Sequence, residues 1–441
     1  MRLACILVVI LGTGLAFGQT TSGETNAAPG AELQQPQGRI FYVRSTNGSD
    51  HRDGKSPETA WLTVRRGVRD LAPGDTLIIG PGLYREGTQL NGSGLPGRPL
   101  RIQGDPSGQL TGDSPGPVVM AGSFPVDENL FEPEGTPGVF VARFDDFEVV
   151  GVVEMDGRQR RYRNVREPIS DIPFVERVRS RRNSYWYDKE TSLLYIHTSD
   201  DAPPQQHELE LISFFSAFYL VNKPHVWVSG LTFRHFADAG VYFRDGSDHG
   251  RAYENVAFGS RQGFRVLNSH HVQILNTVMF EHENSGVYFL RGSTGGLVAD
   301  NFSYANAVGI RFSSDSSGAL VTRNLIQDNE DGGLSFERVS HQVASHNTLR
   351  GNETQLRLIS SEFTSYQNCF ELQPGSDNVI ATLDEIVKYP ELRDYSAKFG
   401  QDLDSGFGTC PAATEKVDVM ALHRHVLSYS AHAGNRHGNV D

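Results

Sequence analysis

The sequence lacks an excess of positive charge and, after its first residues, any long apolar segment. It has 40 Lys and Arg against 53 Asp and Glu, which gives a formal net charge of −13. An acidic chain is a poor partner for nucleic acid or an anionic membrane surface and a better one for a small cation. No segment beyond residue 18 approaches the roughly 20 apolar residues that a membrane-spanning helix needs. We therefore expect no nucleic-acid partner and no membrane span.

The first eighteen residues have the pattern of a secretory signal peptide. Arg2 precedes an apolar run from Leu3 to Leu15, and Ala16-Phe17-Gly18 places small residues at the two positions that a signal peptidase reads. We expect the mature chain to begin near Gln19 and the protein to be secreted or periplasmic.

Cysteine is scarce, with three residues in the chain. Cys5 lies inside the predicted signal peptide, which leaves Cys369 and Cys410. In an oxidising compartment this even pair is either one disulfide, tying the C-terminal tail to the body of the protein, or two separate buried thiols.

The most informative feature that the sequence does contain is a repeat of about 23 residues. Short apolar-x-apolar segments recur at intervals of 23, 23, 23, 23, 24 and 22 residues. Their first residues are Phe218, Val241, Phe264, Val287, Ile310, Leu334 and Leu356. A fixed period with one dominant strand per repeat is typical of a solenoid. The repeat is too short for a propeller blade and lacks the leucine-rich-repeat consensus, so it predicts a parallel β-helix.

The alternation within each repeated strand predicts side-chain directions, because successive residues of a strand point to opposite faces. The flanking apolar residues should form a continuous core between coils stacked ~4.8 Å apart. A glycine precedes most of these strands, where we expect a sharp turn with positive φ: Gly240, Gly263, Gly286, Gly309 and Gly333. A second column is expected to be structural, with asparagines in the left-handed conformation: Asn255, Asn276, Asn301, Asn324 and Asn347.

Composition and patterning divide the chain into six parts. These are a signal peptide at 1–18, a disordered leader at 19–38, an N-terminal cap with the first coils at 39–122, an inserted β-rich module at 123–210, further coils at 211–380 and a tail at 381–441. Within the cap, residues 61–71 predict an amphipathic helix that places Leu62, Val64, Val68 and Leu71 toward the protein. The aromatic residues of the module are interpreted mainly as its own core. The tail histidines show no metal-ligand spacing: His423, His425, His432 and His437.

A run of motifs near the start carries a family resemblance. The segments YVRSTNGSD, GDTLIIGPGLYRE and SGLPGRPLRIQG resemble the start of secreted β-helix proteins of the pectate-lyase-like superfamily, especially the group with alginate lyases and chondroitinase B. The later segment SAKFGQDLDSGFG resembles a tail common in that superfamily. The resemblance implies an all-β, single-stranded right-handed parallel β-helix. It identifies the fold better than the activity, because many relatives of unknown function share these motifs.

The outward position of the repeated strand indicates a binding surface. It is occupied by Tyr219, Tyr242, Arg265, Tyr288, Arg311, Ser335 and Arg357. Aromatic rings stack on sugar faces, and guanidinium groups bind carboxylate or sulfate bidentately. We interpret the column as a groove for an acidic polysaccharide, with Tyr219, Tyr242, Arg265 and Arg357 as substrate-binding residues. The alternative is a solvated Arg–Tyr ladder held together by cation–π contacts.

The turn before Val287 supplies the candidate metal ligands. Glu281, Glu283 and, one coil later, Asn306 offer oxygen atoms that suit Ca²⁺. In the resembled group an E-x-E pair and an Asn hold calcium, a following Lys removes the C5 proton of a uronate, and an Arg one coil on assists. Glu281-x-Glu283 and Arg311 match this pattern. Tyr288 occupies the place of the Lys. The Asn of the family should precede the Glu pair by about one coil, and Asn306, one coil after the pair, is offered in its place. The alternative is an ordinary solvated turn.

The sequence therefore predicts a monomer that binds an acidic polysaccharide. We favour an enzyme that also cleaves this polysaccharide. In the lyase interpretation Tyr288, Arg311 and His282 form the catalytic set, with Ca²⁺ as cofactor. A glycoside hydrolase would instead need two carboxylates roughly 5 to 9.5 Å apart, such as Glu283 with Glu330, or Asp328 or Asp331 with Glu281. The third possibility is a non-catalytic glycan-binding or cell-surface protein.

Overall fold

The structure is a computed structural model. It describes residues 38–156, 159–165 and 171–371, and beyond these 380–382, 387–389, 396, 400–402, 404–407 and 410. The predicted signal peptide, almost all of the leader, and the His-rich end of the tail lie outside the described residues. Within the described chain, no helix has the length and apolar character that crossing a membrane requires.

Three ten-stranded sheets form the body of the protein. Sheet A contains Ile40–Val43, Thr76–Ile79, Leu100–Gly104, Val226–Ser229, Arg251–Tyr253, Gln273–Leu275, Leu297–Ala299, Leu320–Thr322, Gln342–Ser345 and Phe363–Tyr366. Sheet B contains Gly82–Arg85, Val118–Ala121, Thr232–Arg234, Val256–Phe258, Val278–Phe280, Phe302–Tyr304, Leu325–Gln327, Thr348–Arg350, Cys369–Glu371 and Gly406–Phe407. Sheet C contains Thr88–Gln89, Ser216–Val221, Ala239–Arg244, Gln262–Leu267, Ser285–Leu290, Val308–Ser313, Gly332–Glu337, Leu356–Ile359, Ile380–Thr382 and Val387–Tyr389.

Most coils contribute one strand to each sheet, and the predicted parallel β-helix is confirmed. Neighbouring coils pair in parallel, and the repeated residues fall opposite one another: Val241 pairs with Phe264, Val287 with Ile310 and Ile310 with Leu334. The exception is the last strand of sheet C, which is antiparallel to its neighbour. We call the turn between sheets B and C the B–C corner; it includes residues 235–238, 259–261, 281–284, 305–307 and 328–331.

The core is the predicted stack of inward apolar residues on sheet C together with its counterparts on sheets A and B. Phe218, Val241, Phe264, Val287 and Ile310 are all completely buried. Phe289 and Phe312 stack with ring centroids 5.0 Å apart. Burial of so many large side chains along one axis supplies the main stabilisation of the fold, since each buried aromatic removes a large apolar area from water.

The glycine column is needed for a different reason from the one predicted. The five glycines lie at the second position of their sheet C strands and do not have positive φ. At Gly286 a Cβ atom would lie 2.5 Å from Ser303 Oγ and 2.8 Å from Gly309 O, and at Gly309 it would lie 2.6 Å from Gly333 O. Close approach of successive coils, rather than a left-handed turn, therefore excludes a side chain here.

The asparagine column is a hydrogen-bonded ladder, but its membership differs from the prediction. Asn301 N–H donates to Asn324 Oδ1 at 3.0 Å, and Asn324 N–H donates to Asn347 Oδ1 at 3.0 Å. Thr277, not Asn276, occupies the ladder position, because its N–H donates to Asn301 Oδ1. The left-handed residues are those directly before the ladder, such as Asn276 at φ 49°. The ladder satisfies buried backbone donors at each turn.

The N-terminal cap contains a shorter helix than predicted. Residues Pro57–Thr59 form a 3₁₀ turn and Val64–Gly67 an α-helix, α1. The Thr63 side chain accepts from Arg66 N, and Glu86 accepts from the N–H groups of Val64 and Arg65 at 2.9 and 2.8 Å. Val64, Val68 and Leu71 are buried as expected, whereas Leu62 is exposed because it precedes the helix.

The predicted inserted module consists of two small sheets. One contains Ser123–Pro125, Gly151–Glu154, Arg160–Arg161 and Leu209–Ile212; the other contains Glu132–Pro133, Val139–Arg143, Arg163–Asn164, Ser184–Asp188 and Leu193–His197. The helical elements are Glu128–Leu130 and Pro204–Gln206, both 3₁₀, and the α-helix Phe174–Arg179, α2. Tyr162, Tyr185, Leu194 and Ile196 pack in a core of the module itself, as predicted for its aromatic residues.

A buried ionic network joins this module to the coils. The Glu210 carboxylate lies 3.0 Å from both Arg85 Nη2 and Arg234 Nη2, and its other oxygen accepts from Ser123 Oγ. Burial alone would raise the pKa of Glu210, but His235 and the two arginines outweigh it and hold that pKa well below its ordinary value. Burial lowers the pKa of His235 to about 4. The network fixes where the module emerges from the coils.

The C-terminal cysteines form one disulfide. Cys369, in sheet B, is bonded to Cys410, so the disulfide alternative of the sequence analysis is confirmed. The bond ties a segment of the tail to the last coils of sheet B.

Candidate functional site

The predicted Tyr–Arg column lies in register on the outer face of sheet C. Tyr242 pairs with Arg265, Arg265 with Tyr288, and Tyr288 with Arg311. The Arg265 guanidinium carbon lies 4.7 Å from the centroid of the Tyr242 ring, and that of Arg311 lies 5.1 Å from the Tyr288 ring. These cation–π contacts are the ones that the ladder interpretation expected. They also hold each planar group in a fixed orientation.

The two central arginines are each balanced by a carboxylate that the sequence analysis did not assign. Arg265 Nη1 lies 2.7 Å from Asp238 Oδ2, and Arg311 Nη2 lies 2.7 Å from Glu337 Oε2. Arg311 Nη1 also donates to Asn284 Oδ1 at 3.2 Å. Each Nε is buried without a hydrogen-bond partner in the described part of the chain. The face therefore presents oriented guanidinium groups with little net charge.

The other members of the column differ in how far their side chains are exposed to solvent. Tyr242 is only 3% exposed, and Ser335 is fully buried and donates to Glu337 Oε1 at 2.9 Å. Arg357 is partly exposed at the far end, next to Ser335. Among the described residues no carboxylate lies within 4.0 Å of Arg357. The accessible part of the column is therefore Tyr219, Arg265, Tyr288, Arg311 and Arg357.

Tyr288 is the central member of the column. Its ring is partly exposed between Arg265 and Arg311, and its hydroxyl lies 2.9 Å from Ser313 Oγ. Leu267 and Leu290 form an apolar floor beside it. The hydroxyl therefore has one fixed hydrogen-bond partner and one side directed toward the outer face.

An aromatic platform lies at the start of the column. Phe215 is 51% exposed, with its ring centroid 5.7 Å from Tyr219 in an edge-to-face contact and 6.3 Å from Tyr242. Arg244 Nη1 donates to the Tyr219 hydroxyl at 2.5 Å. The sequence analysis missed Phe215, although a large aromatic directly before the first repeated strand was available as a signal. An exposed ring beside ordered tyrosines suits contact with a sugar face.

Asp238 combines burial with an unsatisfied oxygen. It is 1% exposed, and its Oδ1 has no hydrogen-bond partner among the described residues. Burial raises the pKa of Asp238, and the positive charge of Arg265 reduces that rise. A raised pKa is a property of general acids, but here the Asp238 carboxyl group is enclosed and paired with Arg265.

The structure does not bring the predicted calcium ligands and His282 together. Glu281 and Glu283 alternate with His282 along the B–C corner, so His282 turns inward. Its ring nitrogens lie 3.2 Å from Ser260 O and 3.1 Å from Ala257 O. Asn306 is buried too, and its Oδ1 accepts from His282 N–H at 3.1 Å. His282 and Asn306 therefore lie away from the outer face.

These two residues belong to a second ladder of buried hydrogen bonds. Asn306 N–H donates to Asn329 Oδ1 at 3.0 Å, and Asn329 N–H donates to Asn352 Oδ1 at 3.1 Å. Ser260 N–H lies 3.3 Å from His282 Nδ1, so the imidazole replaces the asparagine oxygen on its coil. Burial lowers the pKa of His282 to about 3. The ladder explains the two residues without a metal.

Arg161, a residue of the inserted module, places a positively charged side chain at the same corner. Arg161 Nε lies 3.2 Å from Glu283 Oε2, while Arg161 Nη1 and Nη2 donate to Phe236 O and Ala237 O at 2.8 and 3.2 Å. Arg161 is itself largely buried. Glu283 is 40% exposed. With Asn306 facing inward and Glu283 paired with Arg161, the predicted three-residue donor set does not fit Ca²⁺ as arranged here.

Comparisons with known proteins agree on the fold. The model of the family described as periplasmic copper-binding protein (NosD) matches residues 214–375, less than half of the chain. No curated protein sequence matches this chain. In the described part of the matched region, no three His, Cys, Asp or Glu side chains bring ligand atoms within 4.8 Å of one another. The disulfide is consistent with an extracytoplasmic location.

Solved structures similar to this chain include proteins whose descriptions name a sugar or a carbohydrate-active enzyme. A complex of XylC with xylose is 13% identical with a TM-score of 0.52, covering 86% of this chain and 85% of that chain. Pectate lyase Pel9A is 12% identical, with a TM-score of 0.43 and coverage of 78% and 74%. The GH136 lacto-N-biosidase from Eubacterium ramulus is 10% identical, with a TM-score of 0.44 and coverage of 84% and 68%. The strand pairing and the likeness to the XylC structure show a right-handed parallel β-helix fold.

Proposed function

We propose that the protein binds an acidic polysaccharide along the outer face of sheet C and cleaves it by β-elimination at a uronate. The observation that carries the proposal is the in-register alternation of tyrosine and arginine at the centre of the column, with Arg265 and Arg311 each held over a tyrosine ring. Stacked coils ~4.8 Å apart give a face long enough for several sugar units. Phe215 and Tyr219 provide a platform for a sugar ring at one end, and Arg357 provides a cation at the other.

In the proposed reaction Arg311 binds the carboxylate of the uronate and stabilises the negative charge that develops there. Tyr288 gives its hydroxyl proton to the O4 oxygen as the C4–O4 bond breaks. It takes the C5 proton as the C4=C5 double bond forms, so its hydroxyl is regenerated. Ser313 Oγ holds the hydroxyl in place. Because no step passes through a metal, dependence on Ca²⁺ remains a separate hypothesis about Glu281 and Glu283.

Asp238 favours a second candidate function, glycoside hydrolysis. Burial raises the pKa of Asp238, which favours the proton-bearing form that a general acid requires, and Glu283, two coils on, is one of the exposed carboxylates at the same corner. Two coil steps of ~4.8 Å place such a pair at the upper end of the separation used by inverting enzymes. The same fold therefore offers two reactions with different products.

One screen distinguishes these functions. The purified protein is incubated with alginate, pectate, a glycosaminoglycan and a sulfated algal glycan, with and without chelator. Product absorbance in the near ultraviolet indicates elimination, new reducing ends without that absorbance indicate hydrolysis, and binding without either indicates a glycan-binding protein. The elimination proposal is rejected if a polymer is cut without forming the unsaturated product. Tyr253→Phe, on the outer face of sheet A, is a matched control for variants of Tyr288.

A further inference from the structure

The inserted module contains a cluster of side chains that the proposed groove does not use. Glu154, Asp156 and His207 bring their ligand-type atoms within 4.8 Å of one another, and no other such group of three occurs among the described residues. Strands Gly151–Glu154 and Leu209–Ile212 pair antiparallel, with Glu154 opposite Leu209. The end of one strand therefore meets the start of the other, which brings residues 154–156 beside residue 207.

His207 is the central residue of this cluster. Its Nδ1 lies 2.7 Å from Asp156 Oδ2 and 3.8 Å from Glu154 Oε2. The His207 side chain is only 5% exposed, and its Nε2 lies 3.2 Å from Asp200 Oδ1. Both ring nitrogens therefore face carboxylate oxygens, with Asp156 and Glu154 together on the Nδ1 side.

The carboxylates of the cluster are held in place by neighbouring groups. Glu154 Oε2 accepts from the Tyr162 hydroxyl at 2.6 Å, and Oε1 accepts from Ser199 Oγ at 2.8 Å. Asp156 Oδ1 accepts from Glu208 N–H at 2.8 Å, which leaves Oδ2 directed at His207. Metal ligands are typically oriented by a second layer of hydrogen bonds of this kind.

We propose that Glu154, Asp156 and His207 bind a divalent transition-metal cation of the Zn²⁺ class. One imidazole nitrogen with carboxylate oxygens is a donor set that zinc accepts, whereas Ca²⁺ and Mg²⁺ prefer oxygen alone. The cation replaces the proton on Nδ1, which leaves to solvent. Nε2–H then donates to Asp200, giving the carboxylate–histidine–metal arrangement common in zinc sites. The site crosslinks the two strands of the module and lies outside residues 214–375.

The test is Zn²⁺ titration of the full chain by calorimetry, together with thermal unfolding with and without Zn²⁺. The sequence has 15 histidines, and others among them can also bind Zn²⁺. The number of bound Zn²⁺ ions in each variant is therefore compared with that in the parent. We expect His207→Gln to lose one Zn²⁺ equivalent and the Zn²⁺-dependent rise in melting temperature. Asp156→Asn, at an exposed position, should weaken the same equivalent by more than the roughly 10–100-fold typical of outer-shell changes, and it decides the question if His207→Gln does not fold.

His197→Gln is the matched control. His197 lies in the same module and contacts Val178 O at 2.8 Å and Asp201 Oδ1 at 2.9 Å, but it does not belong to the cluster. It should keep the Zn²⁺ equivalent. Equal stoichiometry and affinity in the parent and Asp156→Asn, or loss of the equivalent in His197→Gln alone, overturns the proposal in favour of a histidine–carboxylate ion-pair cluster.

Discussion

Arg161 in the inserted module lies with its Nε 3.2 Å from Glu283 Oε2 on the B–C corner. The same guanidinium donates to the carbonyl groups of Phe236 and Ala237. The module is thus fixed beside the edge of sheet C on which the Tyr–Arg column begins. The positive charge of Arg161, a residue outside the repeat, therefore lies at the corner where the sequence predicted a bound Ca²⁺ ion.

Arg161→Gln should loosen the attachment of the module, because the two carbonyl groups lose charged donors. We expect the free energy of unfolding to fall by about 1–3 kcal/mol, with faster amide hydrogen exchange in residues 235–238. Arg163→Gln, at an exposed position on a neighbouring strand, is the control and should have little effect. Unchanged exchange in Arg161→Gln would show that the contact does not hold the module.

His282 should make the protein sensitive to acid. Its pKa is lowered from 6.5 to about 3 by burial, so the unfolded chain binds a proton that the folded chain refuses. Above pH 6.5 the imidazole is neutral in both states and the stability is unaffected. As the pH falls below 6.5 the folded state loses stability, and the loss is about 2 kcal/mol at pH 5. Denaturant unfolding at pH 7 and pH 5 measures it.

His282→Asn should reduce that difference by about 2 kcal/mol, since asparagine occupies this ladder position on the following coils. His341→Asn, at an exposed histidine, should leave it unchanged. An identical pH dependence in His282→Asn and the parent would contradict the buried neutral imidazole.

Phe289→Ala should cost ~3–5 kcal/mol, because it empties a fully enclosed position in the core stack. Val221→Ala is the matched change on the outer face of the same sheet, where the side chain is 38% exposed, and it should cost less than about 1 kcal/mol. Chemical denaturation of both variants gives the comparison. Similar costs would mean that the two faces of sheet C are assigned the wrong way round.

Tyr288→Phe should abolish turnover of an acidic polymer while leaving binding nearly unchanged, because it removes one hydroxyl and keeps the ring under Arg311. The measurement pairs product absorbance with polymer affinity. Turnover at the parent rate would exclude Tyr288 as the proton carrier. Tyr253→Phe should behave as the parent in both assays.

Arg311→Lys should weaken both binding and turnover. An ammonium group cannot reproduce a bidentate contact with a carboxylate or stack as a plane on Tyr288. We expect a loss of at least about tenfold in kcat/KM, equivalent to ~1.4 kcal/mol. Arg323→Lys, whose ion pair with Asp300 is on the solvent-exposed surface, is the control. Equal losses in the two variants would indicate a general effect on the fold.

The period of the repeat determined the fold. A strand that alternates inward and outward residues at a fixed interval has one way to bury its apolar side, and the pairs Val241–Phe264 and Tyr288–Arg311 follow from that register. The Tyr–Arg column was predictable for the same reason. So was the β-rich nature of the module, since aromatic strands such as Ser184–Asp188 carry their own local pattern.

Only the tertiary structure decided which polar residues meet. Asp238 and Glu337 neutralise Arg265 and Arg311 from other coils, and Arg161 reaches Glu283 from 122 residues away in sequence. The sequence predicted His282 as a catalytic residue and Asn306 as a metal ligand, because the pattern of a turn does not show which of its side chains face inward. Their inward direction is set by backbone donors on adjacent coils that need acceptors once buried. A one-dimensional period fixes register, whereas the partners of charged groups depend on which distant segments the folded coils bring together.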